Sequence, residues 1–511
     1  MKKKLISLAL ATTLCASLFV GCGNEGANAV STETAKTSET AKTTESSAEA
    51  EKEQEIVNIS MYFYGTNDQP SQKAVIDAMN EYSAEKIGVT ISFQPIASSE
   101  YRDKTSMALA SKEDVDLVWT AEGYGLPIWS RDGALMDITE LLPNYEGIMD
   151  TIPEELWEAA KVNGKIYFIP NYKETGVGNS LVTPKSVADE IKAKYGIDFN
   201  ELDCNGIWDY ANLEAYILAA MELGVDMPLP TGMAFNGAIQ SDATYEKLSM
   251  PFVVNKETGK VELMYEIPEF RDYIELMISW KDKGIWKEEQ VMADYQAKNY
   301  YYQTDSWALV NETTTPDMVN NMTDRFGIDV YVKPISSNYI NTGSVTGSGW
   351  AITAYSEKAD ACLKWLELVN TDTTFADLWV YGIEGTHYTK EADGTLTKIK
   401  DSGWSNSAWK ATNTWVLSLL STEAADKKEQ YTAFNESAVL SDMFGLRADT
   451  RNVSTELAAV NAIHSELKYM MQYGFYDIEK LDEVIADCKA AGSDTVIAEL
   501  QKQVDAYLAN K

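Results

Sequence analysis

IVNISMYFY (Ile56–Tyr64), VTISF (Val89–Phe93) and VDLVW (Val115–Trp119) are three short apolar runs, and the segments between them decide the fold. After the first run, Val75, Ile76, Met79 and Tyr82 recur at helical spacing until Gly88 breaks the pattern, and a second helix is expected over Glu100 to Ser111. Strand, helix, strand, helix, strand is the order of a parallel sheet with helices on its faces, so the fold class is α/β. Ligands of such sheets bind beyond the carboxyl ends of the strands. That rule places Tyr64, Thr66, Thr120 and Glu122 beside any crevice.

Farther along, Val162-Asn163-Gly164-Lys165-Ile166-Tyr167 sets an Asn-Gly pair between β-forming residues and predicts a hairpin. Near the end of the chain, Val496, Leu500 and Val504 form an apolar stripe on a helix, with Ile497 and Tyr507 beside it. The part from Glu55 to Lys511 is too long for one core of ordinary size, so two lobes are expected. A formal net charge of -35 argues against nucleic acid and against adhesion to anionic lipid, because phosphates would be repelled over much of the surface. Cys204, Cys362 and Cys488 are too few and too scattered for a disulfide framework or a metal site, and they read as small buried hydrophobes.

At the other end, Lys2, Lys3 and Lys4 precede an apolar stretch from Leu5 to Val20. It is short for ~30 Å of hydrocarbon and suits a cleaved signal peptide over residues 1–21. Leu18-Phe19-Val20-Gly21-Cys22 resembles a lipobox, with Phe19 where Leu is more usual, which implies a diacylglycerol on Cys22. An ordinary secretory signal that contains a cysteine is the alternative. Residues 22–54, nearly all Ala, Ser, Thr, Glu and Lys after the cysteine, cannot form a core and would act as a tether of about 30 Å average reach. The expected location is the extracellular face of the membrane.

Several segments together carry a resemblance: Asp116–Thr120, Leu156–Tyr167 leading into Pro170–Glu174, Tyr381–Tyr388, and the tail from Thr455 with Ala458–Ala462 and Val496–Gln501. In order and spacing they resemble extracellular solute-binding lipoproteins of ABC importers, in the sugar-type group that ends in a domain of unknown function. The resemblance implies two α/β lobes of the periplasmic-binding-protein kind, joined by a multi-strand hinge, with the ligand cleft between them. It implies lobe I over 55–170 plus about 335–382, lobe II over 171–334 plus about 383–440, and a C-terminal helical region over 441–511 packed on the lobes. Crossings are expected at Ile169–Glu174, Lys333–Gly347 and Gly382–Tyr388. The implied partners are a small solute, a sugar or oligosaccharide first, and the permease subunits; the chain would be a monomer that meets the membrane only through its lipid.

A sugar offers a weakly apolar C–H face and an edge of hydroxyls, so its site wants flat aromatics with carboxylates or amides. Trp119 ends a buried strand, Trp307 lies where related proteins pass a loop into a strand beside the cleft, and Trp350 follows the small residues Gly347-Ser348-Gly349. Trp404 and Trp409 lie in a loop-like stretch that reads as either cleft or surface. Tyr172, Lys173 and Glu174 follow a proline at the first crossing; an exposed ion pair is the plain alternative for the last two. Glu384, His387 and Tyr388 form a polar cluster in a glycine-punctuated loop, while His464 on its amphipathic helix is given no function. A secreted glycoside hydrolase and a peptide or other-solute receptor are the competing classes, and a sensory receptor accessory is a further one. The motifs of zinc, serine-nucleophile and P-loop chemistry are missing from the sequence, so neither a cofactor nor a metal is expected.

Overall fold

The computed structural model describes residues 55–65, 69–230, 242, 244–286 and 307–511. Its first sheet has five strands in the order Val89–Ile96, Val57–Tyr64, Leu117–Thr120, Gly349–Ile352 and Ile169–Pro170. The first three are parallel, and the last two reverse direction in turn. Helices Gln72–Ile87 and Ser98–Ser111 make the crossovers, burying Val75 and Met79 from the one and Tyr101, Ala108 and Leu109 from the other. Leu117–Thr120 is buried throughout, as a central parallel strand must be. The expected hairpin is present, with Lys161–Val162 paired to Lys165–Ile166 and both turn residues at positive φ, Asn163 at 53° and Gly164 at 76°.

Aromatic packing dominates this first core. Phe63 stacks on Trp350 at 5.6 Å, Trp350 meets Trp365 edge-on at 6.1 Å, and Trp379 closes against both Phe63 and Trp365. Helices Ala359–Thr371 and Thr373–Tyr381 supply the two tryptophans, and both rings are fully buried. Gly349 is needed for this arrangement, because a Cβ there would collide with the Ile169 carbonyl and the Phe168 ring. The small residues before Trp350 therefore let two strands approach each other.

A second core forms around two antiparallel sheets. Asn179–Pro184, buried at every position, is the middle strand between Val310–Thr313 and Val330–Pro334. Tyr245–Ser249, Phe252–Asn255 and Val261–Leu263 form a meander. The last three helices, Ser454–Gln472, Glu479–Ala490 and Ser493–Ala509, belong to this core: Val460, Leu481, Val484, Val496, Leu500 and Val504 are all buried in it. Gln501 also accepts from the Val261 amide at 2.7 Å and donates to the Gly259 carbonyl at 2.9 Å, covering the meander's edge.

The chain leaves the first core after Ile169, enters the second by Leu181, returns between Ile335 and Ile340, and passes over again near Met443 and Phe444. These three connections lie side by side. Val177 and Tyr339 exchange backbone hydrogen bonds at 2.7 and 3.0 Å, and Tyr339–Ile340 pairs in parallel with Val439–Leu440. The third crossing differs from the expected one at Gly382–Tyr388. Tyr388, Leu396, Trp404, Ala411 and Leu417 all pack in the first core, so the stretch expected in lobe II stays with lobe I as far as Leu417. Gly382, at a φ of 92°, stops a helix against the His387 ring, and a glycine-marked helix stop looks the same in sequence as a lobe crossing.

Trp350→Ala should lower unfolding stability by about 3–5 kcal/mol, as other buried Trp truncations do. Urea titration followed by circular dichroism measures this, and a loss within ~0.5 kcal/mol would place the ring outside the core.

Candidate ligand-binding cleft

At the carboxyl end of the first sheet the strands release an aromatic cluster. Tyr64 ends its strand half-buried and stacks on Trp119 at 4.3 Å with the planes 16° apart. Tyr124 stands against Tyr64 at 4.6 Å, and their hydroxyls share a 2.6 Å hydrogen bond. Burial, then that bond, raises the Tyr64 phenol above its ordinary range, so its ring is neutral across physiological pH. Trp409 meets Trp119 edge-on at 6.2 Å and is 40% exposed, the most exposed tryptophan among the described residues. Trp119 itself is fully buried; it backs the surface that Tyr64, Tyr124 and Trp409 present.

Polar contacts hold this patch to the place where the chain leaves lobe I. The Ser348 hydroxyl accepts from Trp119 Nε1 at 3.1 Å and from Asn171 Nδ2 at 2.9 Å. The Asn171 backbone amide also donates to the Ser348 carbonyl at 3.0 Å, and the residue is buried, with its side-chain carbonyl lacking a protein partner. Thr120 is buried and donates to the Tyr124 carbonyl at 3.0 Å, shaping the turn. Glu122 is occupied: Arg447 holds its carboxylate at 2.9 Å, Thr346 donates to it at 3.1 Å, and the same guanidinium donates to the carbonyls of Ala159 and Lys161. Glu122 thus anchors the third connection to lobe I through a charge-assisted pair.

Tyr172 is half-buried and stacks on Trp415 at 4.4 Å, while its hydroxyl accepts from Asn435 at 3.3 Å. Lys173 and Glu174 form a 3.7 Å pair with side chains only 17% and 24% exposed, more enclosed than a surface pair. Asn435, on helix Lys427–Glu436, also bonds the Thr175 amide and the Lys173 carbonyl, so it fastens the first crossing.

Other expected site residues lie elsewhere. Trp350 is core, as described above. Trp307 is 1% exposed in a small apolar cluster with Val182, Val310 and Met322, its ring 4.8 Å from Phe326; the strand behind it needs a hydrophobic plug. Trp404 is buried against Trp379. His387 is buried, its Nδ1 accepting from the Ile383 amide at 2.9 Å, and burial lowers its pKa; Tyr388 is buried near Tyr381, and Glu384 is exposed beside them. Those three serve the helix stop and do not join the aromatic patch. Thr66 and Cys22 fall outside the described residues. Tyr124, Asn171, Trp415 and Arg447 were not foreseen, although Tyr124, set between Gly123 and Gly125 just after a strand end, carried a readable signal.

A family model for bacterial extracellular solute-binding proteins matches residues 77–393. The chain belongs to that family. A second model, for a domain of unknown function, matches residues 442–509, which are the helices built into the second core. This solute-binding protein is 26% identical over 472 residues to a carbohydrate ABC transporter substrate-binding protein of Streptococcus pneumoniae serotype 4, covering 89% of this chain and 91% of that one. Its fold is similar to the crystal structure of the N-glycan transport solute binding protein NgtS from Streptococcus pneumoniae, with a TM-score of 0.78 and 22% identity over 89% of this chain and 99% of that one. The complex of that protein with Man5GlcNAc gives a TM-score of 0.70 at 23% identity, with the same coverage. The family is one of binding proteins, and the solute-binding protein described here is not an enzyme.

Beneath the patch, Lys410 is buried with its ammonium 4.9 Å from the centre of the Phe63 ring and 3.3 Å from the Tyr64 carbonyl, to which it donates. Desolvation pushes its pKa down to about 8. Because the unfolded chain binds this proton up to about pH 10.4 while the folded one gives it up near 8, stability gains from Lys410 as pH rises through that window. Lys410→Met should flatten the rise in urea midpoint between pH 8 and about 9.5, below the range where unfolded tyrosines ionise. An unchanged slope in the variant would assign the dependence elsewhere.

Proposed function

We propose that this chain captures an oligosaccharide at the aromatic patch, closes its two lobes over it, and delivers it to an ABC permease. The observation that carries the reading is the exposed surface of Tyr64, Tyr124 and Trp409 set at the strand ends beside the first crossing. Flat rings suit the C–H faces of successive sugars, and the Asn171 amide and the neighbouring hydroxyls suit their edges. The pneumococcal relatives, one a carbohydrate transporter component and one crystallised with Man5GlcNAc, support a saccharide over a peptide as the solute.

Capture needs no chemistry. Ligand shifts the lobes toward closure only by binding the closed arrangement more tightly than the open one. The three paired connections are the elements that would bend; Asn435 fastens the first of them, and Arg447 ties the third to lobe I. Trp409→Ala should weaken oligosaccharide binding about tenfold or more in calorimetric titration while leaving the melting temperature nearly unchanged, since the ring is exposed and its loss removes contact area without opening a cavity. Normal affinity in that variant would move the site off the patch.

Attachment is proposed to come from Cys22. No described helix is long and apolar enough to cross a membrane, and the net charge of -35 gives no attraction to anionic lipid. Cys22→Ser should release a folded, ligand-competent protein into the medium, read by fractionation of the producing cells. Retention of the variant at the membrane would exclude the lipid anchor.

A further inference from the structure

Two arms leave the first crossing, and they meet again beyond it. On the lobe I side, Asn435 fastens helix Lys427–Glu436 to the Thr175 amide and the Lys173 carbonyl, and Leu420 and Ala438, which flank that helix, pack on the first core. On the lobe II side, the Thr314 amide donates to the Gly178 carbonyl at 3.0 Å just after strand Val310–Thr313, and Asp317 then opens helix Met318–Phe326. Between the arms, the Tyr431 hydroxyl donates to Asp317 at 2.9 Å. The Lys427 ammonium lies 3.8 Å from the same carboxylate and is held at 2.5 Å by Glu423 on its own side. A triangle results, with the crossing at its apex and Tyr431, Lys427 and Asp317 as its closing side.

That side is stiff. Tyr431 is buried edge-on to Trp415 at 6.2 Å, and Trp415 stacks on Tyr172 in the crossing itself. Burial, then the charges of Asp317 and Glu174, push the Tyr431 phenol upward, so it keeps the proton it donates. Asn321 donates to Asp317 at 2.6 Å and fixes the carboxylate on lobe II. With side chains 17% and 9% exposed, Lys427 and Asp317 are screened less than a surface pair. Lys427 stands about two turns, ~12 Å, along its helix from Asn435. A lobe rotation of about 15° therefore displaces it by about 3 Å, more than a hydrogen bond tolerates. We propose that Tyr431, Lys427 and Asp317 form a brace that fixes the angle between the lobes and must break before the hinge bends. The inference rests on the lobe-closure reading above. The three are positioning residues, which act on capture through the ribbon of connections by favouring one arrangement of the lobes over another.

Hydrogen exchange of the full chain, followed by mass spectrometry with no sugar present, tests this. The Val177, Tyr339 and Val439 amides bond within the ribbon and report its opening. Tyr431→Phe removes one hydroxyl and keeps the ring in its packing; it should quicken exchange at these amides about tenfold while strand Leu117–Thr120 in the first core keeps its rate. Asp317→Asn, of nearly the same shape, should do likewise. Arg325→Gln breaks a 3.1 Å pair with Glu312 that stays within lobe II, and it should leave the ribbon unchanged. Unchanged ribbon exchange in both brace variants, equal quickening at Leu117–Thr120, or the same quickening in Arg325→Gln would each overturn the proposal. Because no solute is present, failure here leaves the aromatic patch standing, and normal affinity in Trp409→Ala leaves the brace standing.

Discussion

Two hydrophobic cores on one chain require backbone to pass between them, and every passing segment carries amide and carbonyl groups that must be satisfied. Here the three connections satisfy one another. Val177 pairs with Tyr339, and Tyr339–Ile340 pairs with Val439–Leu440, so the link between lobes is a narrow ribbon of backbone hydrogen bonds. Such a ribbon resists separation of the lobes yet carries little side-chain packing to resist bending. Everything placed beside it, including the aromatic patch at Tyr64, inherits a position defined relative to both lobes.

One hydroxyl connects that ribbon to the sheet. Ser348 accepts from Trp119, which backs the patch, and from Asn171, the first residue to leave lobe I after its last strand. The side-chain carbonyl of Asn171 is buried and has no protein partner. A buried, unsatisfied acceptor is costly, and cost of this kind is tolerated where function uses the group. Arg447 performs the matching task for the third connection by gathering Glu122 and two carbonyls around one guanidinium.

Local pattern was a good guide where periodicity and turn chemistry act alone. The parallel strands, their helices, the Asn163-Gly164 hairpin and the final apolar stripe at Val496, Leu500 and Val504 each follow from spacing. Tyr64, expected from its place at a strand end, stacks in the patch, while Trp350, expected from the small residues before it, and Trp307, expected from the position of a loop in related proteins, are core. An indole contributes large burial wherever it sits, so residue type cannot separate a binding surface from a plug. The three helices after residue 454 bury their apolar faces in the second core.

By itself, then, the sequence determined the α/β alternation, the two-lobed size, the acidic surface and the family, because these rest on composition and on patterns a few residues long. Only the tertiary structure decided which tryptophan faces solvent, that Glu122 is bound by Arg447 some three hundred positions away, and that residues 388–417 stay with the first core. Those outcomes depend on which surfaces meet after the chain has crossed between lobes, and no local spacing encodes a contact between segments so far apart.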